Sequence, residues 1–315
     1  MAVMPLARHG MAQTSEPLKV GSLKFGTVNW LLDTIAANKI DTREGVRIER
    51  LELASNQALT VALQAGSVDM IVSDWLWAMR QRAEGDGLRF RPYSNALGAL
   101  MVPRDKGIAS LADLKGKRLG VAGSALDKSW LLLRAYSRNK LHADLADSAE
   151  PVYGAPPLLS EQLRLGRLDG VLTFWNFAAR LDAAGYHPLV DMIDVLTELG
   201  VTPSPPLVGF VWREALLSTK PEQVAGFFRA VSGANQILKT DDAAWERLRP
   251  AMGIGSDAEF ERLKEYFRAG IPTPWGTAET QSAERLFGIL SELGGPELVG
   301  PRTRFDSSLF WVPKA

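Results

Sequence analysis

Residues Leu63–Arg80 read LQAGSVDMIVSDWLWAMR, and residues Leu163–Arg180 read LRLGRLDGVLTFWNFAAR. At a constant offset of 100 residues, Leu63/Leu163, Gly66/Gly166, Asp69/Asp169, Trp75/Trp175, Ala78/Ala178 and Arg80/Arg180 coincide. A second match falls at the same offset, Trp30-Leu31-Leu32 against Trp130-Leu131-Leu132. Within each copy an amphipathic stretch ends at a glycine, the usual helix stop. A short apolar run of the buried-strand type then leads into another helical stretch. The chain therefore reads as two similar α/β lobes, and two lobes offer a ligand one obvious place, the cleft between them.

Working outward, Leu18–Lys24 and Val46–Leu53 alternate like strands. Thr27–Ile40, Asn56–Gln64 and Asp74–Ala83 read as helices, and Met70–Ser73 as a buried strand. Leu97–Pro103 is apolar and ends at a proline, so it reads as a strand leaving the first lobe. The plan repeats with strands at Leu119–Ala122, Pro151–Tyr153 and Gly170–Thr173, and helices at Ser124–Lys140, Pro157–Leu165 and Trp175–Ala184. Alternating strands and helices imply parallel-rich sheets flanked by helices. Pro203-Ser-Pro-Pro206 breaks the pattern, and the strand Leu207–Trp212 reads as the return to lobe one. Helices near Pro221–Leu238, Ala243–Ala251, Asp257–Ala269 and Ala278–Leu293 follow, and Leu309-Phe-Trp311 is expected to pack on lobe one. Lobe one is thus residues 18–100 plus 207–315, and lobe two is the insertion 101–206. The two crossings make a hinge, and hinged lobes close around ligands.

Composition excludes several classes. Lys+Arg and Asp+Glu are both 36, so nothing marks the chain as a nucleic-acid or anionic-membrane binder. There is no cysteine, which removes disulfides, thiolate metal sites and a cysteine nucleophile. His9, His142 and His187 lack ligand spacing, so no metal site is expected. No apolar run reaches the ~18 residues of a membrane helix. Residues 1–17, MAVMPLARHGMAQTSEP, have no apolar core, so they read as a disordered N-terminus or the remnant of a secretory signal.

In an open α/β sheet, ligands lie beyond the carboxyl ends of the strands, where helix N-termini present free N–H groups. The strand-to-helix junctions are Lys24–Trp30, Ala54–Gln57, Ser73–Trp77, Gly123–Trp130, Gly154–Leu158 and Thr173–Trp175. The candidate ligand-binding residues at these mouths are Lys24, Thr27, Trp30, Ser73, Asp74, Trp75, Ser124, Lys128, Trp130, Thr173 and Trp175. The repeat sets Trp30, Trp75, Trp130 and Trp175 at or just after these junctions, and a core role alone gives no reason for that recurrence. In Gly123-Ser-Ala-Leu-Asp-Lys-Ser-Trp130, Ser124 and Asp127 have capping-box spacing, so Ser124 is the expected N-cap. Lys128 would then sit one turn into the helix, leaning toward the cleft. A cation there opposes the helix dipole unless it meets an anion; the alternative is pairing with Asp127 or pointing to solvent. Lys24 is expected to approach the same cleft from lobe one. Arg80/Arg180, Gly66/Gly166 and Asp69/Asp169 read as residues of the fold. No hydrolase elbow, zinc-protease helix, phosphate loop or dinucleotide fingerprint appears, so no catalytic residue is assigned.

Four stretches together resemble the type II periplasmic solute-binding proteins of the nitrate, sulfonate and taurine class. They are the opening Leu18-Lys-Val-Gly-Ser22 strand, Ala62-Leu-Gln-Ala-Gly-Ser-Val-Asp-Met-Ile-Val-Ser73, Ile108-Ala-Ser-Leu-Ala-Asp-Leu-Lys-Gly-Lys-Arg-Leu-Gly120, and the Leu163-x-x-Gly-x-x-Asp169 echo. The resemblance spans roughly Leu18 to Leu293. It implies a periplasmic component, not an enzyme and acting as a monomer, that hands a small anionic ligand to the membrane permease of an ABC importer. The fold is similar also to the pyrimidine synthases of thiamine synthesis, whose cysteine-rich motif is absent here. Trp75-Leu-Trp77, Leu126-Asp-Lys-Ser-Trp-Leu-Leu-Leu133 and Leu172-Thr-Phe-Trp-Asn-Phe177 resemble a subgroup associated with pyrroloquinoline quinone. That makes this planar tricarboxylate the leading ligand, carried as cargo and not as a cofactor: tryptophans stack on it, and Lys128 would meet its carboxylates or its electrophilic carbonyl. The alternatives are a sulfonate, nitrate or other small organic anion, or a lyase on the same fold.

Overall fold

The computed structural model describes residues 16–312, and the reading of the N-terminal segment falls almost wholly outside them. From the N-terminus the chain forms β1 (Leu18–Leu23), α1 (Val28–Ala37), α2 (Ile40–Arg43), β2 (Ile48–Leu53), α3 (Asn56–Gln64), β3 (Met70–Asp74), α4 (Trp75–Ala83) and β4 (Leu88–Ser94). It continues through β5 (Ala99–Val102), β6 (Arg118–Ala122), α5 (Lys128–Leu141), α6 (Leu145–Ser148), β7 (Glu150–Gly154), α7 (Pro156–Arg164), β8 (Gly170–Thr173), α8 (Trp175–Ala183), β9 (His187–Asp191) and α9 (Met192–Glu198). The last part is β10 (Val208–Arg213), α10 (Leu216–Thr219), α11 (Pro221–Thr240), α12 (Asp242–Leu248), α13 (Asp257–Ala269) and α14 (Thr277–Val299).

The strands make two five-stranded sheets, ordered β2-β1-β3-β10-β4 and β7-β6-β8-β5-β9. The two orders are the same arrangement. In each, three parallel strands from the repeated unit are followed by two antiparallel pairings, so that only the fourth strand, β10 or β5, runs against the others. The sheets are therefore mixed, with parallel pairing confined to the repeated part.

The corners of the repeat have a structural cause. Asp69 Oδ2 accepts from the Lys19 amide at 2.8 Å, while the Asp69 amide donates to the Lys19 carbonyl. Asp169 does the same with Arg118, at 3.0 Å for the side-chain bond. Each aspartate thus ties the entry of one parallel strand to the start of the next. The glycines ahead of them, Gly66 and Gly166, have φ of +72° and +67°, a left-handed turn that favours glycine after a helix.

The chain crosses between sheets through residues 95–98 and again through residues 199–207; Ala99–Val102 and Val208–Arg213, overlapping the segments read from the sequence as the crossings, are strands of the second and first sheets. Gly98 has no room for a side chain, because a Cβ would lie 1.7 Å from the Thr173 carbonyl oxygen. The C-terminal helices bear on both sheets' helices: α13 packs along α8, and α14 packs on α4 and α5. One apolar core runs from Ile71 and Trp75 through Leu286 and Leu290 of α14 to Leu119 and Trp130. The terminal segment closes on the first sheet, where Phe310 bridges Phe90 and the Trp311 amide donates to the Phe90 carbonyl at 2.8 Å. Among the described residues no helix is long and apolar enough to cross a membrane.

Candidate functional site

The carboxyl ends of β3 and β6 meet across the interval between the sheets. Lys128 Nζ lies 3.4 Å from Asp74 Oδ2, and both side chains are three-quarters buried. They line a cleft of about 350 Å³, the size of a small-solute pocket, together with Asn56, Gln57, Thr60, Ser73, Leu76, Trp77, Arg80 and Leu298.

Each wall has a local cause. Ser55 caps α3 by accepting from the Ala58 amide at 3.2 Å. The Asn56 and Gln57 amides donate to no acceptor among the described residues. Asp74 ends β3 and caps α4, accepting from the Trp77 amide at 2.9 Å through Oδ1. That leaves Oδ2 for Lys128. The N-termini of α3, α4 and α5 all reach this cleft, because Asn56, Leu76 and Lys128 lie in their first turns. Helix N-termini and their free amides favour anions. Arg80 adds a guanidinium, steadied by a 3.3 Å bond from Nη1 to the Leu298 carbonyl.

The N-cap of α5 differs from the expectation. Asp127 holds that position, accepting from the Ser129 and Trp130 amides at 2.9 and 3.2 Å. Ser124 is exposed and accepts from the Leu126 amide, an earlier turn of the loop. Lys128 is therefore the first residue of the helix, at its mouth and not one turn in. Burial pushes the Asp127 carboxyl above its ordinary range; the Lys128 charge and the two capping amides oppose this, and Asp74 adds to it.

The structure brings Ser73, Asp74 and Lys128 together and disperses the other candidates. Trp75 and Trp130 are 0% exposed. Trp75 packs edge-on to Phe305 and Phe310 of the C-terminal segment. Trp130 turns into the core shared with α14. Trp30 is buried against Trp245 and Phe267, and Trp175, half-buried, meets Trp30 edge-on at 6.1 Å. That pair is an edge-on contact between the first turns of α1 and α8. Lys24 is exposed, its Nζ 5.6 Å from the Phe25 ring. Thr27 Oγ1 accepts from the Tyr93 hydroxyl at 3.3 Å, and Thr173 is buried in β8.

Sequence reasoning passes over Thr60, Trp77, Arg80 and Leu298 as cleft residues. Trp77 carries a signal, since it stands two residues beyond Trp75 at a named junction. Arg80 carries a misleading one. Its repeat partner Arg180 is structural, donating to the Met252 carbonyl at 3.0 Å and pairing with Glu259.

A family model described as NMT1/THI5 like matches residues 42–244. No curated protein sequence matches the chain. Among solved structures, the chain is similar to the periplasmic aliphatic sulphonate binding protein SsuA from Escherichia coli. The two share 17% identity and a TM-score of 0.75, over 95% of this chain and 93% of that one. It is similar also to the alkanesulfonate-binding protein SsuA from Xanthomonas axonopodis pv. citri bound to MOPS, at 18% identity and a TM-score of 0.68 over 94% and 98%. A point mutant of DszB in complex with biphenyl-2-sulfinic acid aligns at 16% identity and a TM-score of 0.61 over 88% and 92%. These likenesses establish the periplasmic binding protein type II fold, which solute-binding proteins and a desulfurization enzyme share.

Proposed function

Since the chain belongs to the NMT1/THI5-like family, we propose that it is the solute-binding component of an ABC-type importer, capturing a small organic anion with a sulfonate-like head. The carrying observation is Lys128 set opposite Asp74 in a cleft where three helix N-termini and Arg80 converge. An anionic head there meets an ammonium, a guanidinium and the free amides of Asn56 and Gln57, all of which favour negative charge. The sulfonate-binding proteins among its structural neighbours support this choice of head group. The hinge segments let the lobes, residues 18–100 with 207–315 and residues 101–206, close on the solute. The protein acts as a monomer in the periplasm and delivers to a membrane permease.

Pyrroloquinoline quinone gives way to this reading. Its expected stacking partners are the junction tryptophans, and Trp75 and Trp130 have no exposed surface. Trp77 alone among the described cleft-lining residues presents an indole, room for one face of a ligand tail. Binding without turnover is favoured over a lyase because no acid–base pair apart from the ion pair itself lines the cleft, and no residue supplies a thiol.

Calorimetric titration with MOPS, ethanesulfonate, nitrate and the quinone tests the reading. Micromolar binding of a sulfonate, weakened at least tenfold in Lys128→Ala, is expected. Equal affinity in that variant, or binding of the quinone alone, would refute it.

A further inference from the structure

Asp74 is an odd neighbour for an anion site. Its carboxylate lies in the cleft, 3.4 Å from the very ammonium a bound anion needs. Its other oxygen is committed to the Trp77 amide, so the side chain is held in place by α4 and does not drift in by chance. Asp74 ends a strand of the first sheet, and Lys128 opens the helix that follows a strand of the second. The pair therefore spans the two lobes. Arg80, the other cation of the cleft, has no carboxylate within ion-pair distance among the described residues; it is turned to the Leu298 carbonyl.

We propose that Asp74 is a built-in competitor for Lys128: it holds the solute-free cleft together by an ion pair across the lobes, and an incoming anion binds by taking Lys128 from it. This deepens the reading of the cleft as an anion site and rests on it. The exchange is balanced in charge, one anion replacing another on the ammonium, while Asp74 turns to solvent or to a donor on the solute. It makes Asp74 a residue that sets affinity. An incoming anion has to outbid a carboxylate already in position, so it binds only if it gains more than Lys128 alone offers, from Arg80 and the Asn56 and Gln57 amides. Asp74→Asn keeps the cap on α4, because asparagine caps as well as aspartate, and removes only the charge.

The test has two arms. The chain has no cysteine, so Glu49→Cys and Glu161→Cys on exposed positions of the two lobes take a pair of spin labels and nothing else does. In solute-free protein, pulsed electron resonance should show a broader, longer interlobe distance in Asp74→Asn and in Lys128→Met, with no further change in the double variant. High salt should broaden the parent distribution toward that of Asp74→Asn, since a partly exposed pair is screened. Unchanged distances in both single variants would overturn the ion-pair part of the proposal without reference to any solute. In the second arm, MOPS affinity should rise about threefold in Asp74→Asn, the scale of a partly exposed ion pair. It should fall at least tenfold in Lys128→Met. Unchanged affinity in Asp74→Asn would overturn the competition, and weaker affinity would overturn it and make Asp74 a solute contact. Equal MOPS affinity in Lys128→Met, or no sulfonate binding by the parent, would sink the anion reading itself while the distance arm still judges the ion pair.

Discussion

Trp130 and Trp77 show how far the behaviour of one residue type depends on where its helix points it. Trp130 is the third residue of α5 and is wholly buried, whereas Trp77 is the third residue of α4 and lines the cleft. Trp130→Ala should cost about 3–5 kcal/mol in a urea titration, the usual loss for emptying a large aromatic core site. Trp77→Ala should weaken solute binding while leaving the urea midpoint nearly in place. The buried carboxyls likewise divide. Asp144 caps α6 and receives Arg134 and Arg138 at 2.9 and 2.5 Å. Burial acts to raise its pKa, but the Arg134 hydrogen bonds, the Ala146 amide and Arg138 outweigh it and bring the carboxyl to about 2. A carboxyl depressed in the folded state contributes stability above its unfolded value of ~3.9; that contribution fades as pH falls toward 2. Asp144→Asn should therefore lower the urea midpoint at pH 7 and have little effect at pH 2. Asp127 runs the other way. Its pKa is raised, chiefly by burial, so its ionisation costs stability as pH rises above the unfolded value. Asp127→Asn keeps the cap and should raise the midpoint at pH 7 more than at pH 3.

At the scale of elements, the first crossing between the sheets is tightly constrained. A methyl at position 98 collides with the Thr173 carbonyl, at the junction where β5 enters the second sheet beside β8. Gly98→Ala should cost about 1–3 kcal/mol, the range for forcing volume into a packed site, and should displace the start of α8. A thermal melt checks the first, and comparing tryptophan emission with and without Trp175→Phe checks the second. Several elements were legible because their signals are local: Asn56–Gln64, Gly170–Thr173 and, beyond the repeat, Asp257–Ala269 form over the residues the sequence pattern predicts. The strands β4 and β9 were not. Both lie at sheet edges, carry a proline and include several partly buried residues, so no apolar run marks them. The cleft was half legible. Ser73, Asp74 and Lys128 come from junctions that the repeat itself points to. The burial of Trp75 depends on Phe305 and Phe310, some 230 residues further along, and no spacing within the repeat carries that information.

At the scale of the molecule, the two sheets are alike, and the cleft arises where the likeness fails. Lobe two has Lys128 where lobe one has Val28 at the same register, and lobe one has Asp74 where lobe two has Phe174. These departures put opposite charges on facing mouths, and Trp30 and Trp175, one from a helix beside each sheet, meet edge-on. The proposed capture of an organic anion by Lys128 rests on the fold, the charges of the cleft and the family together. Its most direct measurement is the dissociation constant of a sulfonate such as MOPS for the parent protein and for Lys128→Ala, by calorimetry at one ionic strength. Micromolar binding that weakens at least tenfold on losing the ammonium is the predicted result. Binding that survives unchanged in Lys128→Ala would contradict it.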